Sequence, residues 1–163
     1  MNILITSNIL SLNKLLHLLE DLSLSEYTNS TVLPYKSSIG NHTRHILDYY
    51  DCILKYDKQV DLTIKNRSCL SNTHLDKAKN RSKDIINGLQ NLKYLDFNIE
   101  VYDEFGNGKV KVNYTYSSLL ASAESHTTHH LATIGYLLYQ INNQNNILEK
   151  DMQFGINQNT LIK

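Results

Sequence analysis

Cysteine is scarce: Cys52 and Cys69 are the only two, and they form no C-x-x-C pair. Two thiols in a chain of ordinary apolar content exclude a disulfide scaffold. Charge of either sign is not in excess, since 16 Lys and Arg balance 16 Asp and Glu. That balance removes the electrostatic argument for a nucleic-acid or anionic-membrane partner. The one basic run, Lys77 to Lys83, is bracketed by Asp76 and Asp84 and reads as a solvated helix face. Apolar runs of membrane-spanning length are missing too. The apolar beginning lacks a basic leader and a small-residue cleavage site, and carries His17, Glu20 and Asp21. It reads as the first helix of a cytoplasmic protein. What remains is 163 residues, 41% hydrophobic and 20% charged, enough for one domain over 1–163 and short for two.

Apolar residues recur at helical spacing from Ile3 to Leu22, through Ile5, Ile9, Leu12, Leu15, Leu16 and Leu19. A polar stretch holding the only proline, Pro34, breaks the pattern, and Ser37 or Ser38 can cap a new helix. This second helix is expected from about Ser38 to Asp57, with Ile46, Leu47, Tyr50, Ile53 and Leu54 on its apolar side. "KQVDLTIKNRSCLSN" reads as a non-helical connection, and a third helix spans about Thr73 to Leu92. "FNIEVYDEFGNGKVKVNYTY" alternates on both sides of Gly-Asn-Gly, the signature of a β-hairpin. A fourth helix covers about Ser117 to Asn142, followed by a polar tail. The expected fold is all-α, a four-helix bundle with a small β-hairpin inserted before the last long helix.

Histidine is where chemistry concentrates. On the fourth helix, Leu119, Ala123, His126, His130, Ile134, Leu137 and Ile141 follow one another at steps of three and four and share a face. His126 and His130 therefore point the same way one turn apart, a spacing at which two imidazoles can share a metal ion. Bare imidazoles on a core face cost free energy, and an ion would satisfy both. His129 belongs to a polar stripe with Ser122, Ser125, Thr133, Tyr136 and Gln140 and reads as a rim residue. No Glu follows His126 as in H-E-x-x-H, which argues against zinc-peptidase chemistry. The second helix must supply a third ligand. Periodicity slightly favours His42, which shares the apolar side with Ile39, Ile46 and Ile53, over His45, which stands with Asp48 and Cys52. His17 and His74 stand alone.

The strings "SIGNHTRHILDYY" and "ESHTTHHLATIGY" together resemble the DinB-like superfamily, nearest its small bacterial members with S-I-G-x-H-x-R-H and H-x-x-H-H. "FGINQNTLIK" resembles the docking tail of that group, whereas "LTIKNRSCLS" around Arg67 lacks the acidic residues its members carry. The resemblance implies a four-helix bundle, a homodimer and a three-histidine metal site made of His45, His126 and His130, with His42 the alternative to His45.

Three neutral imidazoles leave coordination positions open for water or substrate and suit Zn, Ni, Fe or Cu. The expected function is a metal-dependent enzyme that activates water or a low-molecular-weight thiol, of transferase or hydrolase type, acting on a small-molecule substrate. The thiol is implied by the resemblance. Asp48, one turn from His45, is a candidate to orient that ring or act as a base, and Arg44 a candidate to hold an anionic substrate group. Cys52 reads as a packing residue. The rival readings are a non-catalytic metal-binding or stress-associated bundle, and a bundle without metal whose histidines bond one another and water.

Overall fold

The computed structural model describes residues 2–55, 59–64, 70–93 and 95–144. The chain is mostly helical, with a small three-stranded sheet. Helix α1 (Ile3–Asp21) starts at Asn2, whose side chain accepts from the Leu4 amide at 2.8 Å. Its residues Ile5, Ile9, Leu12, Leu15 and Leu19 are buried, the face expected from their spacing.

A short helix, α2 (Leu24–Thr28), occupies part of the stretch read as a polar break. Ser23 and Glu26 form a reciprocal capping box, each side chain bonding the other's backbone amide. That Ser-x-x-Glu signal is visible in the sequence, and Tyr27 anchors the helix by burying its ring completely. The Tyr27 hydroxyl donates to the Ser71 carbonyl.

Helix α3 (Ile39–Leu54) begins at Ser38, whose hydroxyl accepts from the Asn41 amide at 3.1 Å. Asp57, the expected end, lies outside the described residues, as do Arg67, Cys69 and the tail from 145 onward. The connection after α3 is more ordered than expected. It holds strand β1 (Gln59–Asp61) and a turn of 3-10 helix at Leu70–Asn72. Helix α4 (Leu75–Gln90) comes next, then β2 (Asn98–Glu104), β3 (Lys109–Thr115) and α5 (Tyr116–Gln144).

The Gly-Asn-Gly hairpin forms as β2 and β3, paired from Asn98–Thr115 to Glu104–Lys109. Gly106 and Gly108 take φ of 87° and 103°, where a side chain would be strained. The third strand is the departure from a simple hairpin insertion. β1 adds parallel to β2, with Val60 opposite Val101. Val60, Ile99 and Val101 are all buried, so apolar burial explains why a three-residue strand is held there.

Helix α1 packs against α4 and α5, and α3 packs against the same two. Leu12, Leu15, Leu19, Ile46, Ile53, Leu89, Leu119 and Ile134 fill the space between them. A polar network ties three helices together inside this core. The Tyr50 hydroxyl donates to Asn8 at 2.6 Å, and Thr127 Oγ1 lies 3.1 Å from that hydroxyl. The Asn8 amide donates onward to the Leu4 and Leu120 carbonyls. Buried polar groups satisfied in this way fix how helices sit against one another. Among the described residues no helix is long and apolar enough to cross a membrane.

Candidate metal centre

The apolar stripe of α5 is buried at Leu119, Ala123, Ile134, Leu137 and Ile141 and only half-buried at His126 and His130. The two histidines interrupt this buried face, and His130 lines an open cavity. Facing them across the α3–α5 contact is His45, with ring centroids 4.9 Å from His126 and 4.8 Å from His130. One ring nitrogen from each of His45, His126 and His130 can be chosen so that all lie within 4.8 Å of one another.

The Nε2 atoms of His126 and His130 are 3.2 Å apart. Two nitrogens bound to one tetrahedral ion at about 2.0 Å lie about 3.3 Å apart, so this pair already has the spacing a shared ion needs. The full set is wider, and its exposed member, His45, is the one that packing constrains least. His126 Nδ1 is buried with no hydrogen-bond partner among the described residues. Burial holds His126 down to about 4 and His130 to about 3, with the neighbouring histidines adding to the effect. Both rings are neutral near pH 7, the form that binds a metal.

His42 is placed differently. Its Nδ1 lies 3.0 Å from His130 Nδ1, so it bonds the far side of a candidate ligand. Its half-burial is what periodicity detected, while His45 is exposed, and both line the same cavity. His129 is exposed, as its polar stripe implies, with its ring 5.2 Å from that of His130. His17 and His74 are both exposed; His17 pairs with Glu20 at 3.5 Å, and His74 Nδ1 lies 2.9 Å from Thr73 Oγ1.

Asp48 and Arg44 both line a cavity of about 210 Å³ beside His42, His45 and His130. Asp48 is not an exposed helix carboxylate. Its Oδ1 accepts from Arg81 at 2.6 Å, and the same Arg81 nitrogen reaches Asp51 at 2.9 Å. Burial works against the Arg81 charge, but the bonds to Asp48 and Asp51 outweigh it and raise its pKa. Arg81 belongs to the run read as a solvated face. Lys77 and Lys83 are solvated, whereas Arg81 turns inward because α4 packs against α3 at that position.

Two further residues belong to the site. Tyr49 stacks on His126 with centroids 4.5 Å apart and lies 3.0 Å from Ser122 Oγ through its hydroxyl. Burial pushes this phenol up to about 12, so it remains protonated. Its position four residues after His45 was the available sequence signal. Arg81 had none, because nothing in a lysine-rich run marks which member turns inward. Cys52 is half-buried, and burial with Asp48, Asp51 and Asp61 nearby pushes its thiol up to about 11. It is a packing thiol and not a nucleophile.

Comparison with family models, with curated proteins and with solved structures gave no match.

Proposed function

We propose that the protein is a metal-dependent enzyme of DinB-like four-helix-bundle type, in which His45, His126 and His130 bind one divalent ion. The observation that carries this is the meeting of His45 on α3 with the His126–His130 pair on α5, three imidazole donors within 4.8 Å. Zn, Ni, Fe and Cu all suit such a donor set. When bound, the ion supplies Lewis acidity that turns water, or a low-molecular-weight thiol, into a nucleophile near neutral pH.

The chain's own residues provide the rest. An ion held by the Nε2 atoms of His126 and His130 would leave the proton of His130 on Nδ1, where it would donate to His42. His42 thereby fixes the tautomer and ring plane of His130. Tyr49 holds the His126 ring by stacking. Asp48, restrained by Arg81, shapes the cavity wall. Exposed His45 and the cavity beside it leave room for a small substrate, as an open catalytic site requires. The resemblance in the histidine strings extends the reading to a homodimer.

A non-catalytic bundle stabilised by its ion is the second reading. It is favoured by one feature, that the ligands bridge α3 and α5 while the carboxylate lining the cavity, Asp48, is paired with Arg81. Metal analysis of protein purified without a histidine tag tests both. About one ion per chain, lost in a His126→Ala/His130→Ala double variant, is expected. No bound metal in the wild type after incubation with zinc would end both readings and leave a metal-free histidine cluster. Consumption of a thiol by electrophilic substrates, dependent on the ion, separates enzyme from binder.

A further inference from the structure

The cavity beside the histidines has an unbalanced charge. Asp48 lines it, but its carboxylate is neutralised by Arg81, and Asp51 is shared between Arg81 and Lys55, the latter at 3.2 Å. Arg44 lines the same cavity and has no ion pair or hydrogen bond among the described residues. A half-buried guanidinium facing a concave wall, with Asp48 and Asp51 already engaged elsewhere, is an anion-binding arrangement.

Its neighbours add donors. Asn41 uses its side-chain oxygen to accept from Asn72 at 3.4 Å, which leaves its amide N–H groups for a ligand. Ser37 lines the same wall, and its hydroxyl has no partner among the described residues. The volume of about 210 Å³ is enough for a small ligand.

We propose that this cavity is a subsite for a small carboxylate-bearing ligand, its carboxylate pairing with Arg44 while its other end meets the open face of the three histidines. One guanidinium, with two neutral donors and no second cation among the lining residues, matches a monoanionic carboxylate better than a dianionic phosphate. The placing of the second end rests on the metal reading above. The Arg44 contact does not.

The test uses 3-mercaptopropionate, its neutral counterpart 2-mercaptoethanol, and inorganic phosphate as probes. Each is titrated into zinc-loaded and metal-free full-length chain and followed by amide and guanidinium NMR shifts. In the zinc-loaded protein the acid binds roughly tenfold more tightly than the alcohol, the range of one charge-assisted hydrogen bond. Arg44→Gln abolishes that preference and keeps the same zinc stoichiometry and circular dichroism, and Arg44→Lys restores part of it. Zinc binding with no preference for the acid, or a preference that survives Arg44→Gln, overturns the subsite and leaves the metal reading standing. Phosphate binding more tightly than the acid overturns the carboxylate assignment. If zinc does not bind, the metal reading fails and the metal-free titration decides the subsite: shifts from the acid that depend on Arg44 support it, and their absence overturns it.

Discussion

At the scale of single residues, the division of labour between His42 and His45 has measurable consequences. His42 touches His130 on the nitrogen away from His126, the position of a residue that orients a ligand. His42→Ala is expected to keep one ion per chain with affinity lowered about tenfold, whereas His45→Ala loses tight binding. The reverse pattern in competition titrations with a chelating dye would make His42 the ligand. Acid stability is set by the same cluster in the metal-free protein. Folded His126 and His130 sit at about 4 and about 3, against 6.5 for an ordinary histidine. The unfolded chain therefore binds more protons between those values. Stability from this source is complete above pH 6.5 and is lost as pH falls from there toward 4 and 3. Urea midpoints of the apoprotein should drop across that window, and less steeply in a His126→Gln/His130→Gln variant. Equal slopes in the two proteins would assign the drop to other groups.

At the scale of elements, the site depends on where α3 begins. A Cβ added at Gly40 would overlap the Asn72 carbonyl oxygen and lie 3.0 Å from the Tyr27 ring. Backbone cannot yield as a side chain can, so Gly40→Ala is expected to cost about 1–3 kcal/mol and to displace the turn that carries His42. Gly88 in α4 is the control. A Cβ there meets the end of the Leu54 side chain, at 2.9 Å from Cδ1, and that side chain can rotate. Gly88→Ala also gains up to about 1 kcal/mol of helix propensity, so it should be neutral or stabilising in urea denaturation. A Gly40→Ala variant as stable as Gly88→Ala would show that the contact between α3 and the 3-10 turn is loose. Arg81 also acts between elements: its pairing with Asp48 and Asp51 joins α4 to α3 directly beneath the cavity wall.

At the scale of the whole molecule, the candidate ligands come from two helices far apart in the chain, so an ion that binds them also joins α3 to α5. Binding to the native state alone adds RT ln(1 + [L]/Kd), about 2.7 kcal/mol at one hundred times Kd. Saturating zinc should therefore raise the melting temperature of the wild type by several degrees and leave the His126→Ala/His130→Ala variant unmoved. An equal rise in both would place zinc elsewhere. The same scale explains the sheet. β1 and β2 are parallel and separated by α4, a connection that only tertiary packing reveals, while β2 and β3 are adjacent in sequence and joined by a glycine turn.

Local patterns were enough to find the long helices, the hairpin and the shared face of His126 and His130, because helical and strand periods and turn chemistry are properties of neighbouring residues. Ser38 as a cap and Gly-Asn-Gly as a turn were legible for the same reason. The order within the connection, strand β1 and the Leu70–Asn72 turn, was not, since it depends on burial against β2 and on the Tyr27 hydroxyl. The spacing of the α3 histidines pointed mildly to His42, because periodicity measures burial. Both His42 and His45 line the cavity, and what distinguishes them is ring position, His45 lying against both His126 and His130 and His42 against His130. Likewise the engagement of Asp48, and the lack of a partner for Arg44 among the described residues, depend on which way Arg81 turns from α4. Those are through-space charges between elements distant in the chain, and packing alone decided them.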